Sequence, residues 1–297
     1  MEYNKTNIEV IVIVPYRDRE EHKSLFIEHM PHILSDKKYE IIFVHQCDTR
    51  PFNRGAMKNI GLLYLKQNYP DCYKNITIVF NDIDNMPKFK NQFDYDTTSG
   101  IIKHYYGFKY TLGGIFAINA GDFEKINGFA NIWTWGLEDN ILLKRSIKSG
   151  IEIMRDKMIV VDREKPDNII LLDHGNIRYV SDYIANKYKY DNGFDGIQSL
   201  NNVTFDVVDI DIDKNIKEVR VNSFDTHESL DSLFVKTAKN IDISKIPPIK
   251  FNKKFIVDNN NKLYIPQNVN KNTMLFNTFK NLNNASIAGY GKTMLFK

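Results

Sequence analysis

Two aspartates one residue apart, Asp82 and Asp84 in Asn81-Asp82-Ile83-Asp84, close a short apolar run from Ile76 to Phe80. Carboxylates at that spacing can share a divalent cation, because hard oxygen ligands suit Mg²⁺ or Mn²⁺ and leave positions open for phosphate oxygens. A second polar group, Tyr16-Arg17-Asp18-Arg19, follows another apolar run, Ile8 to Val14, after Pro15. Guanidinium is a planar multi-donor cation suited to phosphate, and an aromatic ring beside it can stack on a base. Alone, an acidic pair is most often a solvated turn and a single arginine a surface ion pair. The elements that carry these groups decide between the readings.

The run Ile8 to Val14 predicts a buried strand that stops at Pro15, and apolar positions Leu25, Phe26, Met30, Ile33 and Leu34 predict a helix from Glu20 to Leu34. A strand at Ile41 to Val44, a helix from Gly55 to Gln67 and a strand at Ile76 to Phe80 continue the rhythm. Such alternation implies an α/β sheet with helices on both faces. In open sheets of this kind, ligands bind beyond the carboxyl ends of the strands. Both polar groups lie there. Further along, Leu112 to Ile118 reads as a strand, Asp139 to Ser149 as a helix and Val203 to Ile212 as an alternating strand.

Composition sets limits on the chemistry. The chain has 297 residues, 42% hydrophobic and 26% charged, as expected of a folded globular protein. Its 40 Lys and Arg against 37 Asp and Glu leave a charge of +3, too small for the broad footprint of a nucleic-acid binder. Two cysteines, Cys47 and Cys72, build neither a disulfide framework nor a four-thiolate metal site. No stretch approaches the ~20 apolar residues of a membrane span, and the N-terminus lacks a signal-peptide layout, so no membrane anchor and a cytoplasmic location are expected. After Phe224 the composition drifts toward Asn and Lys, with Pro247-Pro248 as a linker mark. The expected division is therefore 1–224 and 225–297, the second part a small appendage with short apolar clusters at 255–257 and 263–265.

Five ordered motifs supply the context that each lacks alone: VPYRDR at 14–19, FNRGAMKNIG at 52–61, NDIDNMP at 81–87, LGGIFAI at 112–118 and INGFANIWTWGLEDN at 126–140. In order and spacing they resemble the β-1,4-galactosyltransferase family, over about residues 8 to 215. The ending Glu138-Asp139-Asn140 also resembles the second transferase domain of chondroitin-type polymerases. The resemblance implies a GT-A fold, a Rossmann-like mixed sheet flanked by helices, that uses Mn²⁺ with a UDP-sugar. It places Pro15, Tyr16, Arg17, Arg19, Phe52, Asn53 and Arg54 around the uridine diphosphate. Asp82-Ile83-Asp84 takes the place of the family's Asp-Val-Asp, with Asp82 and Ile83 on the nucleotide side and Asp84 as metal ligand. A downstream histidine completes the metal site, for which His174 is the candidate. The Met that precedes that histidine by three residues is here Leu171, so Asp173 or water substitutes and Mg²⁺ becomes an alternative to Mn²⁺.

By the same correspondence Asp139 is the catalytic base, accepting the proton of an acceptor hydroxyl that attacks the anomeric carbon opposite the leaving UDP. Glu138 holds the acceptor, and Trp135 offers an indole N–H and an apolar face. Gly113 and Gly114 permit close backbone approach beside the donor sugar. Two positions before them, galactose-transferring relatives have a bulky Tyr; Thr111 here makes GalNAc or GlcNAc plausible, with galactose and glucose still open. Thr134 and Leu137 replace glycines of the family pattern, and Asn140 its last aspartate. The function expected is a metal-dependent inverting glycosyltransferase, moving a hexose or N-acetylhexosamine from a UDP-sugar to a saccharide or glycan acceptor. Its rivals are a non-catalytic sugar-nucleotide or glycan-binding protein and, ranked last, a nucleotidyltransferase.

Overall fold

The computed structural model describes residues 8–133, 136–161, 166–173, 188 and 191–227, and the backbone of 256–257 and 263–264. The chain opens with β1 (Val10–Tyr16), α1 (Glu20–Ile33), β2 (Tyr39–Gln46), α2 (Arg54–Asn68) and β3 (Thr77–Asn81). β1 pairs in parallel with both β2 and β3. Its side chains alternate between two cores: Ile11 and Ile13 meet Ile60 and Leu65 of α2, while Val10, Val12 and Val14 meet Phe26 and Met30 of α1. A strand buried on both faces has no polar side, which is why it reads as an unbroken β-branched run. Each such side chain contributes about 1.5–3 kcal/mol by leaving water.

The strand does not stop at Pro15, as the sequence suggests; it continues to Tyr16. Pairing with β3 ends at Ile13–Phe80, so from Val14 onward only β2 flanks the chain, and proline is tolerated where a ladder neighbour is missing. α2 starts cleanly because Asn53 Oδ1 accepts from the Ala56 N–H at 2.9 Å.

Next come β4 (Asn85–Pro87), β5 (Ile101–Gly107), β6 (Ile115–Asn119), α3 (Ala120–Lys125) and α4 (Glu138–Lys148). β7 (Glu152–Met154), β8 (Ile159–Val160), β9 (Ile169–Leu171), β10 (Asn201–Asp211) and β11 (Ile216–Asp225) follow. The main sheet runs β10-β11-β2-β1-β3-β6-β5-β7, with β8 beside β5. β6 is antiparallel to β3 and β5, and β11 returns parallel to β2, so the sheet is mixed. Leu112 to Gly114 form a turn ahead of β6 rather than its first residues. β4 pairs with β9 in a separate ladder that crosses the rim of the site. β12 (Ile256–Val257) and β13 (Leu263–Tyr264) pair antiparallel. Among the described residues no helix is long and apolar enough to cross a membrane.

Candidate active site

The parallel register of β1, β2 and β3 brings their carboxyl ends to one edge, where Arg17 and Arg19, the 47–53 loop, and Asp82 and Asp84 emerge. Arg54, the first residue of α2, is the hub. Its Nη1 donates to Asp82 Oδ2 at 2.6 Å, its Nε to Glu138 Oε1 at 2.9 Å, and its Nη2 to Asp139 Oδ2. One guanidinium therefore joins the end of β3 to the start of α4. Burial alone would lower its affinity for a proton, but Asp139, Asp82 and Glu138 outweigh that and hold Arg54 well above its ordinary range.

α4 begins abruptly. Leu137 adopts φ +75° immediately before it, a left-handed conformation costly for leucine, at a position where the resembled motif has glycine. Glu138 and Asp139 then fall in the first turn, where the helix dipole favours negative charge. Glu138 is buried, which raises its carboxyl above the usual range despite the opposing pull of Arg54. The 111–114 turn lies against Asp139: Leu112 N–H donates to the Asp139 carbonyl at 3.1 Å, and a Cβ at Gly113 would collide with Asp139 Oδ2. Glycine is required there by close approach. Asp82 N–H donates to the Gly114 carbonyl at 3.2 Å, tying the same turn to β3. Thr111 is buried in this turn, with its hydroxyl on the Phe108 carbonyl at 3.3 Å.

Lys58 is a site residue inside the 52–61 motif to which the sequence assigns no role. It lies one helical turn after Arg54, fully buried, with Nζ 3.2 Å from Asp82 Oδ1 and 3.7 Å from Asp139 Oδ1, above the Phe129 ring. The signal was available: a lysine at i+4 from a functional arginine shares its helix face. Four buried atoms here make no hydrogen bond: Lys58 Nζ, Asp82 Oδ1, Glu138 Oε2 and Asp139 Oδ1. Three of them face one another as ion pairs of Lys58 with Asp82 and Asp139, while Glu138 Oε2 keeps capacity for a polar ligand.

Asp84 stands apart from that hub. Its Oδ2 is 3.3 Å from Arg19 Nη1 and its Oδ1 accepts from Asn85 at 2.9 Å. Leu172, just past β9, donates its N–H to the Asp84 carbonyl at 2.8 Å, and the Asp173 carbonyl accepts from Arg19 at 3.3 Å and contacts His22 Nε2 at 3.0 Å. The β4–β9 ladder thus brings Leu172 to Asp84; His174 lies outside the described residues. Among the described residues no three His, Cys, Asp or Glu cluster as a complete metal site. The Asp84 carboxylate, a hard oxygen donor at the strand-end edge now paired with Arg19, fits one ligand of a divalent cation.

Tyr16 is buried, its hydroxyl donating to Glu20 at 2.7 Å and its ring edge-on to Phe43 and His45, so it supports the edge from below rather than offering an open stacking face. Pro15 is likewise buried in β1, and Ile83 belongs to the core under α1. Arg17 donates to the Arg50 carbonyl, and Phe52 is half-buried against the core on the α2 side. Trp135, with Thr134, lies outside the described residues.

Residues 3–95 match the N-terminal region of glycosyl transferase group 7, and residues 87–167 match the N-terminal domain of galactosyltransferase. The chain is 29% identical to β-1,4-galactosyltransferase 5 of Homo sapiens over 223 residues, 70% of this chain and 55% of that protein. It is 33% identical to β-1,4-galactosyltransferase 4 of Mus musculus over 172 residues, 53% of this chain and 46% of that protein. It therefore spans about half the length of these relatives. A mutant Drosophila β-1,4-galactosyltransferase 7, in complex with manganese, UDP-Gal and xylobiose, superposes with a TM-score of 0.61 at 21% identity, covering 77% of this chain and 97% of that one. That likeness gives the GT-A fold. Motif order, both family regions and these relatives agree that the chain belongs to glycosyl transferase group 7, the family of the β-1,4-galactosyltransferases.

Proposed function

We propose that this chain is a metal-dependent inverting glycosyltransferase that moves a hexose or N-acetylhexosamine from a UDP-sugar to a saccharide or glycan hydroxyl. One observation carries the reading: Arg54 holds Asp82, Glu138 and Asp139, residues the motifs single out from three separate parts of the chain, in a single charge cluster. Asp139 takes the proton of the acceptor hydroxyl as that oxygen bonds to the anomeric carbon and the bond to UDP breaks. Arg54 fixes the carboxylate's position for this transfer, and Glu138, buried beside it on the same guanidinium, holds the acceptor sugar. Arg17 and Arg19, just beyond the carboxyl end of β1, supply positive charge for the diphosphate. Asp84 and His174 would hold Mn²⁺, with Mg²⁺ as the alternative, which would supply charge neutralisation for the departing diphosphate.

The fold relative was captured with manganese, UDP-Gal and xylobiose, which supports a UDP-sugar donor and a saccharide acceptor. Thr111 lines the turn beside the base, and its small side chain favours a pocket that admits an N-acetyl group; galactose, GalNAc, GlcNAc and glucose are the donors to compare. The test is UDP release from these four UDP-sugars with simple saccharide acceptors, with and without Mn²⁺. Metal-dependent release from one donor, lost in Asp84→Ala, is expected. Metal-dependent UDP binding with no release from any donor would favour the non-catalytic binding protein instead.

A further inference from the structure

His104, on β5, is 1% exposed and belongs to no motif. Its Nε2 lies 3.0 Å from the Gly113 carbonyl and 3.1 Å from the Tyr106 carbonyl, both pure acceptors, so that nitrogen carries the proton. Its Nδ1 faces Arg155 Nε at 3.3 Å, and a guanidinium only donates, so Nδ1 presents its lone pair. The contacts on the two ring nitrogens thus demand the same neutral tautomer. Burial, reinforced by the Arg155 charge, pushes the imidazole down to about 4 and keeps it neutral. Arg155 also donates from Nη2 to the Thr111 carbonyl at 3.3 Å.

Two donors from one side therefore grip two carbonyls of the turn whose other side lies on the base. Leu112 N–H binds the Asp139 carbonyl, and Asn140 of α4 donates to the Tyr110 carbonyl at 2.9 Å. The fit is close: a Cβ on Gly107 would strike the Gly113 carbonyl and His104 Nε2. His104 also lines a cavity of about 120 Å³ together with Asp94, Lys103 and Met154.

We propose that His104 and Arg155 are positioning residues that set the donor-sugar wall, by holding the Thr111 and Gly113 carbonyls against the helix that carries Asp139. This rests on the glycosyltransferase reading above. Removing the donor leaves a buried carbonyl unpaired, which relaxes the turn and changes the space beside the sugar without touching the uridine diphosphate contacts.

The experiment compares the full chain with His104→Leu, which removes the donor, and His104→Gln, whose amide restores one. Calorimetry with Mn²⁺ measures the affinities of UDP, UDP-galactose and UDP-GalNAc, a readout that needs no turnover. In His104→Leu the ratio of UDP-galactose to UDP-GalNAc affinity shifts by about tenfold, the scale of one lost hydrogen bond, while UDP affinity holds; His104→Gln returns the ratio toward that of the parent. Nitrogen-15 spectra of histidine-labelled protein show the neutral Nε2–H tautomer for His104. An unchanged ratio in His104→Leu, or an Nδ1–H tautomer in the parent chain, overturns the positioning role alone. Failure of the parent chain to bind either UDP-sugar overturns the glycosyltransferase reading, and the positioning role falls with it.

Discussion

Two buried charge clusters sit on opposite sides of β1, and they are built on opposite terms. Glu218 on β11 receives Lys23 of α1, His45 of β2 at 3.0 Å and Arg220 at 2.9 Å, so one carboxylate has three partners. Burial would raise its carboxyl, yet these donors hold it down at about 2. Around Arg54 the proportion reverses: Asp82, Glu138 and Asp139 share Arg54 and Lys58, and four polar atoms lack hydrogen bonds. There burial wins at Glu138, and its carboxyl goes up. A fully satisfied buried charge fastens α1 to the sheet; an under-satisfied group keeps capacity for what it binds. Same residue type, same burial, opposite direction: the number of partners separates structure from function.

That contrast breaks most easily at its hub. Arg54→Met strands three carboxylates on one lysine and is expected to lower kcat/KM by about 10²–10⁴, since removing one partner of a buried charge costs roughly 3–5 kcal/mol. Steady-state kinetics decide it, and a loss below about tenfold would mean that the cluster does not depend on its arginine. The mirror change, Glu218→Gln, leaves Lys23 buried without its counter-charge. It should cost about 3 kcal/mol of stability in urea unfolding with kcat and KM unchanged. A kcat effect there would erase the distinction between the clusters.

Acid sharpens the comparison. Glu218 titrates lower in the fold, about 2, than its unfolded value of 4.5, so its contribution is full above 4.5 and fades as pH falls toward 2. His104 is also depressed, from 6.5 to about 4; the unfolded chain takes up that proton first, and stability worth about 3 kcal/mol is lost as pH falls from 6.5 toward 4. Unfolding across pH 7 to 3 should therefore show two acid steps. His104→Gln removes only the upper one. The smallest effect is expected from Asn140→Asp, which loses the bond to the Tyr110 carbonyl and should cost about 1 kcal/mol.

Local pattern made the first half of the fold legible. β1 to β3 and α4 appear in the sequence within a few residues of where they lie, because continuous apolar runs and helical spacing are local signals. β5 was hidden: Lys103 and His104 interrupt its apolar pattern, and their reasons, an ion pair to Asp94 and the Gly113 carbonyl, lie elsewhere in the chain. β11 was hidden too, since its neighbour β2 is more than a hundred residues earlier and nothing within 216–225 names that partner. The motifs singled out Arg54, Asp82, Asp84, Glu138 and Asp139, and the structure brings all of these but Asp84 together on one guanidinium. Lys58 lay in the 52–61 motif without a role, and Arg155 and His104 lay in no motif, because they act through other side chains or through backbone carbonyls.

The central claim is that Asp139 is the base in a cluster assembled by Arg54. Its most direct test is Asp139→Asn, nearly equal in size, assayed for Mn²⁺-dependent UDP release with acceptor and, on the same preparation, for UDP binding. The account predicts release lowered by about 10²–10⁴ with UDP affinity retained, because only the proton acceptor is gone. Release equal to that of the parent chain would contradict it and move the base elsewhere.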